Sequence, residues 1–266
     1  MPAADAPPLV RAELKDHVAT LALDNYARRN ALSARLIAEL LGWLETYRDQ
    51  GTYAVILRTV RPEKVWSSGH DIHELPTVGV DPLPYNDPLE RLLRAVKAFP
   101  APVIAMVSGS VWGGACDLMM ACDIVLGDET CSFAITPAKL GLPYNAAGFL
   151  NFMSRLPLHI VKEMFFTAEP IGAERAERVG ILNALVPAAA LERRTAELAR
   201  VIASRSPSAI AACKEALREL SEAAPLNPGT YERLHALRRE VYFGSDYREG
   251  IQAFLEKRPP RFAADR

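Results

Sequence analysis

Residues 103–148 constrain what this chain can fold into more than any other stretch. They open with five apolar residues, 103–107, short and β-branched enough to make a buried strand. Ser108, Gly109, Ser110, Gly113 and Gly114 follow as a run of small residues, and then 115–122, an apolar stretch with Leu118, Met119 and Met120, suits a helix. The predicted order is strand, glycine turn, buried helix. Glycines at such a junction let another group approach the backbone, and the first N–H groups of a helix lack intrahelical acceptors, so the turn can hold a developing negative charge. The same glycines could serve only to pack the helix tightly against a neighbouring strand. Neither G-x-x-x-x-G-K-[ST] nor G-x-G-x-x-G is present there, which removes the phosphate-cradle and dinucleotide readings.

The flanking sequence predicts an α/β domain. Residues 18–23 read as a strand and 24–29 as a polar loop. Ser33 then caps a helix whose apolar stripe is Leu36, Ile37, Leu40, Leu41, Leu44 and Tyr47, and 54–59 is the next strand. In the stretch VWSSGHDIHELP, residues 67–69 predict a tight turn that starts a short helix with Asp71 in its first turn. His70 and His73 have the spacing of metal ligands beside Asp71, but no third and fourth ligand stand out in the sequence. Residues 77–90 are rich in Pro, Gly and Asp and predict a loop covering the site. An amphipathic helix over 89–99 leads into the central strand, and 123–126 and 131–135 follow the glycine turn as short strands. Two prolines and an exposed Tyr144 are expected between 136 and 148. Helical spacing then recurs over 159–166, 173–179, 189–203, 208–220 and 231–242, with a boundary at Ser206-Pro207. No internal repeat is visible.

Composition excludes several classes of function. A formal net charge of −1 over 266 residues lacks the basic excess of a nucleic-acid surface. No apolar run reaches the roughly 20 residues of a membrane span, and the start lacks the pattern of a signal peptide, so a cytoplasmic protein is expected. Cys116, Cys122, Cys131 and Cys213 show no C-x-x-C spacing and predict buried, reduced thiols. No histidine near Cys116 in sequence is available to activate it as a nucleophile.

Gly109, Gly113, Gly114, Ala115, Asp117, Leu118, Cys122 and Asp123 resemble the signature G-x-x-x-G-G-G-x-E-L-x-x-x-C-D of the enoyl-CoA hydratase/isomerase (crotonase) superfamily. The stretch SGHDIHEL is similar to that superfamily's F-x-x-G-x-D-[IL]-x-E-[LM]. The resemblance implies an α/β fold with a ββα spiral core over 1–206 and a C-terminal helical region, 207–266, for oligomerisation and CoA covering. A homotrimer or a dimer of trimers follows from it, and the apolar positions Leu234, Leu237, Val241 and Tyr242 near the C-terminus agree. It also implies an acyl-CoA thioester whose carbonyl lies between the N–H groups of His70 and Gly114. Arg28 and Ala31 in RRNALS, with Ser68, Asp71, Ile72, Trp112 and Gly113, would then contact substrate, and no metal or cofactor is implied because CoA is part of the substrate.

Side chains must decide the reaction. Hydration of an enoyl thioester uses two glutamates in the hydratases. Their positions fall here on Asp117, one methylene shorter, and Pro137, which has no acid–base chemistry. Asp117 could equally be a first-turn residue favouring the helix dipole. A missing carboxylate suits a malonyl-type thioester that brings its own: an apolar wall desolvates that carboxylate, and Tyr144 can orient it without adding charge. SGHDIHELP, GSVWGGA, TPAKLGLPYN and FLEKRPPRF resemble the biotin-independent methylmalonyl-CoA decarboxylase branch. That likeness implies conversion of methylmalonyl-CoA to propionyl-CoA and CO2, with Tyr144 at the substrate carboxylate and Pro137, Leu140, Phe254 and Lys257 against substrate. Asp117 stands where that branch usually has glutamate. An enoyl-CoA hydratase or isomerase is the alternative, and a non-catalytic RNA-binding relative is a third.

Overall fold

The computed structural model describes residues 7–76, 79–221 and 227–262. Its logic is a turn that repeats. The chain lays a strand into one sheet, crosses to a short strand in a second sheet, and returns through a helix. Strand β3 (Ala54–Thr59) passes to β4 (Val65–Ser67) and then α2 (Pro88–Lys97). In the same way β5 (Val103–Val107) passes to β6 (Ser110–Trp112) and α3 (Gly114–Ala121), and β7 (Ile124–Gly127) to β8 (Ser132–Ala134) and α4 (Ala146–Met153). The first turn is abbreviated: β2 (Val18–Leu23) is followed by Leu32, which makes a single parallel bridge to His70, and then by α1 (Ala34–Asp49). The spiral is a structural repeat with no counterpart in sequence, because each turn fills its interior with different side chains.

The larger sheet runs β1 (Val10–Lys15), β2, β3, β5, β7 and β10 (Ala184–Leu185). Only the β1–β2 pair is antiparallel. The smaller sheet runs β4, β6, β8 and β9 (Ile171–Gly172), with β9 antiparallel. Strand β5 is buried at every position, as expected for a parallel strand covered on both faces. Trp66 is fully buried beside it and donates its indole N–H to the Met106 carbonyl at 2.9 Å. Between the sheets and helices α1 to α3 lies the main core.

Several expectations change. The predicted glycine turn after β5 contains strand β6, so the order is strand, short strand, helix. Three residues are too few to display a period of two, and Ser110 and Trp112 hid it further. Asp71 precedes its helical turn: it caps the 3₁₀ turn Ile72–Glu74, accepting from the His73 N–H at 3.1 Å. Tyr144 is buried, not exposed. Cys116, Cys122 and Cys131 are buried free thiols, but Cys213 is exposed. The expected Ser33 cap forms, accepting from the Leu36 N–H at 3.3 Å. Part of the predicted loop at 77–90, residues 77 and 78, lies outside the described residues, and its end becomes α2.

After α5 (Leu158–Thr167), α6 (Ala173–Val179) and α7 (Ala188–Ala203) come α8 (Pro207–Ser221), α9 (Pro228–Phe243) and α10 (Ser245–Leu255). Helix α8 has no buried residue among those described, though Lys214 ties it inward through Asp123 at 2.7 Å. Helix α10 folds back on the spiral. Tyr247 is buried and donates to the Pro76 carbonyl at 2.7 Å, and Gly250 abuts the Leu140 carbonyl.

Candidate active site

The two motif stretches meet at their backbones. Ser67, at the end of β4, donates its hydroxyl to the Asn30 carbonyl at 2.7 Å and accepts the Gly69 N–H at 3.2 Å, which fixes the turn before His70. Gly69 has φ +85 and lies against β6, where a Cβ would be 2.4 Å from the Trp112 carbonyl oxygen and 3.1 Å from the Gly114 nitrogen. Gly113 has φ +50 and ψ −126, a conformation that L side chains rarely adopt, and its N–H donates to the Ala134 carbonyl at 2.8 Å. These two glycines let the turn before His70 press against the start of α3. A Cβ built on Gly114 would lie 3.5 Å from the His70 nitrogen. Neither the His70 nor the Gly114 N–H has a backbone acceptor among the described residues. Two unpaired donors therefore sit side by side, the arrangement that stabilises an oxyanion.

They border a cavity of about 60 Å³ whose wall includes Ser68, His70, Ile72, Leu89, Glu90, Gly113, Gly114, Asp117, Pro137, Leu140 and Tyr144. Pro137 and Leu140 come from the 3₁₀ turn Pro137–Leu140, which ends on the left-handed Gly141. The Tyr144 ring is held edge-on to Phe165 at 4.8 Å, and a side chain at position 148 would collide with it, since a Cβ on Gly148 would meet the ring at 2.3 Å. Aromatic neighbours and Gly148 thus hold the ring of a tyrosine that lines the cavity.

Asp117, from the first turn of α3, is 3% exposed, and its Oδ1 has no hydrogen-bond partner among the described residues. Burial, and next the charge of Glu90, push its carboxyl well above the usual range, while Lys97 and Asn151 pull weakly the other way. Asp117 does occupy the first turn, as the helix-dipole reading has it, and it is buried there. Burial also raises Glu90, opposed by its hydrogen bond from the Asn145 amide. His70 Nε2 is 3.5 Å from Asp87 Oδ2, and its Nδ1 is 3.2 Å from the Asp71 carbonyl oxygen. Burial alone would lower the His70 pKa, but Asp87, the Asp71 carbonyl and Glu74 together leave it raised. Burial pushes the Cys116 thiol far up, which leaves it without thiolate character.

Other expected contacts lie farther out. Arg28 pairs with buried Asp71 at 2.9 Å, so the RRNALS loop is tied to the His70 turn rather than simply solvated. Ala31 is buried beside the Leu32–His70 bridge. Trp112 gives its carbonyl to the Gly69 approach and its indole N–H to Ser110 at 2.8 Å. Phe254 and Lys257 lie on the exposed end of α10 and its following turn, away from the cavity wall. Glu90 was not singled out by sequence: in α2 it reads as an ordinary first-turn acid, and only the packing of α2 on α3 brings it to Asp117.

Comparison with known proteins agrees with this geometry. The enoyl-CoA hydratase/isomerase family model matches residues 13–265. Methylmalonyl-CoA decarboxylase of Escherichia coli (strain K12) is 47% identical over 239 residues, 90% of this chain and 92% of that protein. Carnitinyl-CoA dehydratase of Citrobacter koseri is 35% identical over 241 residues, 88% of this chain and 90% of the relative. A solved structure of methylmalonyl-CoA decarboxylase in complex with 2-nitronate-propionyl-CoA superposes with a TM-score of 0.95 at 44% identity, covering 97% of this chain and 100% of that one. The chain belongs to the enoyl-CoA hydratase/isomerase family.

Proposed function

We propose that this protein decarboxylates methylmalonyl-CoA to propionyl-CoA and CO2 through a thioester enolate. The observation that carries the proposal is the contrast across one cavity. Paired N–H groups of His70 and Gly114 border it, and its wall holds Tyr144 together with Pro137, which stands where a hydratase would place its second glutamate. The likeness to methylmalonyl-CoA decarboxylase over nine-tenths of the chain supports the same substrate class. In this reading the thioester oxygen accepts from the two N–H groups. As the bond from Cα to the carboxylate breaks, its electrons flow into that carbonyl, and each donor supplies roughly 2.7 to 4 kcal/mol of barrier lowering. Pro137 keeps water from solvating the departing carboxylate, and the Tyr144 hydroxyl orients it. No metal or organic cofactor has a step to perform.

One observation favours a second reading. Glu90 brings a second carboxyl to the cavity beside Asp117, so the acid–base pair missing from the hydratase motif has a possible substitute for hydration or isomerisation of an enoyl thioester. Incubation with malonyl-, methylmalonyl-, ethylmalonyl- and crotonyl-CoA separates the two: CO2 release from the methyl-substituted malonyl thioester supports the first, and rapid water addition to crotonyl-CoA supports the second.

The proposal includes a homotrimer or a dimer of trimers, with a division between 1–206 and a C-terminal helical region at 207–266. Leu217, Leu220, Leu237, Val241 and Phe243 of α8 and α9 are all exposed, and symmetric association would cover them. A monomeric mass by light scattering at micromolar concentration would remove this part. A cytoplasmic location belongs to the same reading; among the described residues no helix is long and apolar enough to cross a membrane.

A further inference from the structure

Both nitrogens of the His70 ring face oxygen. Nδ1 lies 3.2 Å from the Asp71 carbonyl oxygen, and Nε2 lies 3.5 Å from Asp87 Oδ2. A neutral imidazole carries one N–H and one lone pair, so in either tautomer a lone pair is turned to an acceptor. Nε2 has no relief from elsewhere: it is buried, and among the described residues no donor reaches it. Only the doubly protonated ring presents an N–H to each oxygen. Asp87 is placed for the other half of this pair. It is 9% exposed, its Oδ1 caps α2 by accepting the Leu89 N–H at 2.8 Å, and its Oδ2 is the oxygen beside the imidazole. Among the described residues of the cavity wall, His70 alone can carry a positive charge, whereas Glu90 and Asp117 bring two carboxyls. A malonyl-type thioester adds an anion to this site and becomes an enolate as CO2 leaves, so a cation in the wall lowers the cost of both.

We infer that the His70 side chain is an imidazolium held by Asp87, and that it is the countercharge to the substrate carboxylate and to the enolate that follows. The inference rests on the decarboxylase reading. His70 then has two separate roles, since its main-chain N–H serves the thioester oxygen whatever its side chain, and the ring adds the charge. Asp87 is a positioning residue that acts through the ring, and by capping α2 it also ties the oxyanion turn to the helix that carries Leu89. The ring need not touch the substrate, because in a poorly solvated site a charge acts over several ångströms. The other charged and titratable groups around it are Glu74 on the following turn, Asp71, which Arg28 pairs at 2.9 Å, and Glu90, Asp117 and Tyr144 in the cavity wall. Burial opposes the charge, and the oxygens around the ring, Asp87 foremost, outweigh it and leave the His70 pKa raised.

Two readouts test this, both independent of turnover. The first is the ring ¹⁵N resonances of histidine-labelled protein followed against pH, with those of His70 assigned by their loss in His70→Gln. In wild type the His70 midpoint should lie above the ordinary histidine value of about 6.5. In Asp87→Asn it should fall by about one pH unit or more, because the facing charge is gone. The second is binding of two thioethers that cannot decarboxylate, 2-carboxypropyl-CoA and propyl-CoA, which differ by one carboxylate. Affinity for 2-carboxypropyl-CoA should drop about tenfold in His70→Gln, and in wild type it should drop as pH rises through the His70 midpoint, while affinity for propyl-CoA holds within about threefold. A wild-type midpoint at or below about 6.5 overturns the inference even if neither variant folds, as does an equal loss of both thioethers in His70→Gln. A charged ring and carboxylate-selective binding in a protein that releases no CO2 from methylmalonyl-CoA support the countercharge and reject the decarboxylase reading instead.

Discussion

Two sets of groups in the cavity wall are built from different materials. In one, His70 and Gly114 offer main-chain N–H groups, fixed by Gly69, Gly113 and the Ser67 hydroxyl. In the other, Asp117, Glu90, Pro137 and Tyr144 offer side chains, with the Tyr144 ring packed on Phe165 and Glu90 held by the Asn145 amide. A backbone donor survives most substitutions at its own position but demands particular neighbours. A side-chain group is lost in one substitution yet tolerates change around it. In the proposed function the first set suits any thioester that becomes an enolate, and the second chooses among the fates of that enolate.

That contrast can be broken most severely at Gly114. Replacement by proline deletes the donor at a helix start where proline is tolerated, but it also adds a Cβ that would meet Leu89 at 2.5 Å. Gly114→Ala adds the same Cβ and keeps the N–H. Turnover of Gly114→Pro should fall about 100- to 1,000-fold below that of Gly114→Ala in steady-state assays. Equal turnover of the two folded variants would remove the oxyanion assignment.

Tyr144→Phe probes the side-chain set with a smaller expected loss. A hydrogen bond to a charged group contributes roughly 1.5 to 3 kcal/mol, so kcat/KM for methylmalonyl-CoA should drop about 10- to 100-fold with the ring packing on Phe165 intact. A loss below threefold would leave the phenol as a packing group.

The smallest effect is on stability. The Asp117 carboxyl is raised in the folded state, so its contribution is fully present below the unfolded carboxylate pKa of about 4 and is lost as pH rises toward the folded value. Asp117→Asn cannot ionise and should escape that loss. Its Tm should exceed that of wild type at pH 7 by about 2 to 4 °C for each kcal/mol recovered, and the gap should close near pH 4. A gap independent of pH would mean that Asp117 ionises in the fold as freely as in the unfolded chain.

The same contrast governs what could be read from sequence. Strand β5 and helix α3 were legible because a buried parallel strand and an apolar helix each leave a run of side chains. The close backbone approach of the two motif stretches was legible through Gly69, Gly113 and Gly114, since such an approach permits few other residues. Strands β4, β6, β9 and β10, of two or three residues each, gave too short a pattern to register. Tyr144 was placed at the site but expected in solvent, because proline-rich flanks describe a loop and not what packs on it. Glu90 was hidden altogether, since its meaning depends on a helix that begins 24 residues later, at Gly114, folding against its own.

The central claim is that a thioester enolate forms here by loss of CO2 rather than by addition of water. It is tested most directly by assaying methylmalonyl-CoA and crotonyl-CoA side by side, each at saturation, with a metal chelator present and no biotin. The account predicts stoichiometric CO2 and propionyl-CoA from the first, with little or no hydration of the second. Hydration of crotonyl-CoA well above the rate of CO2 release would contradict it.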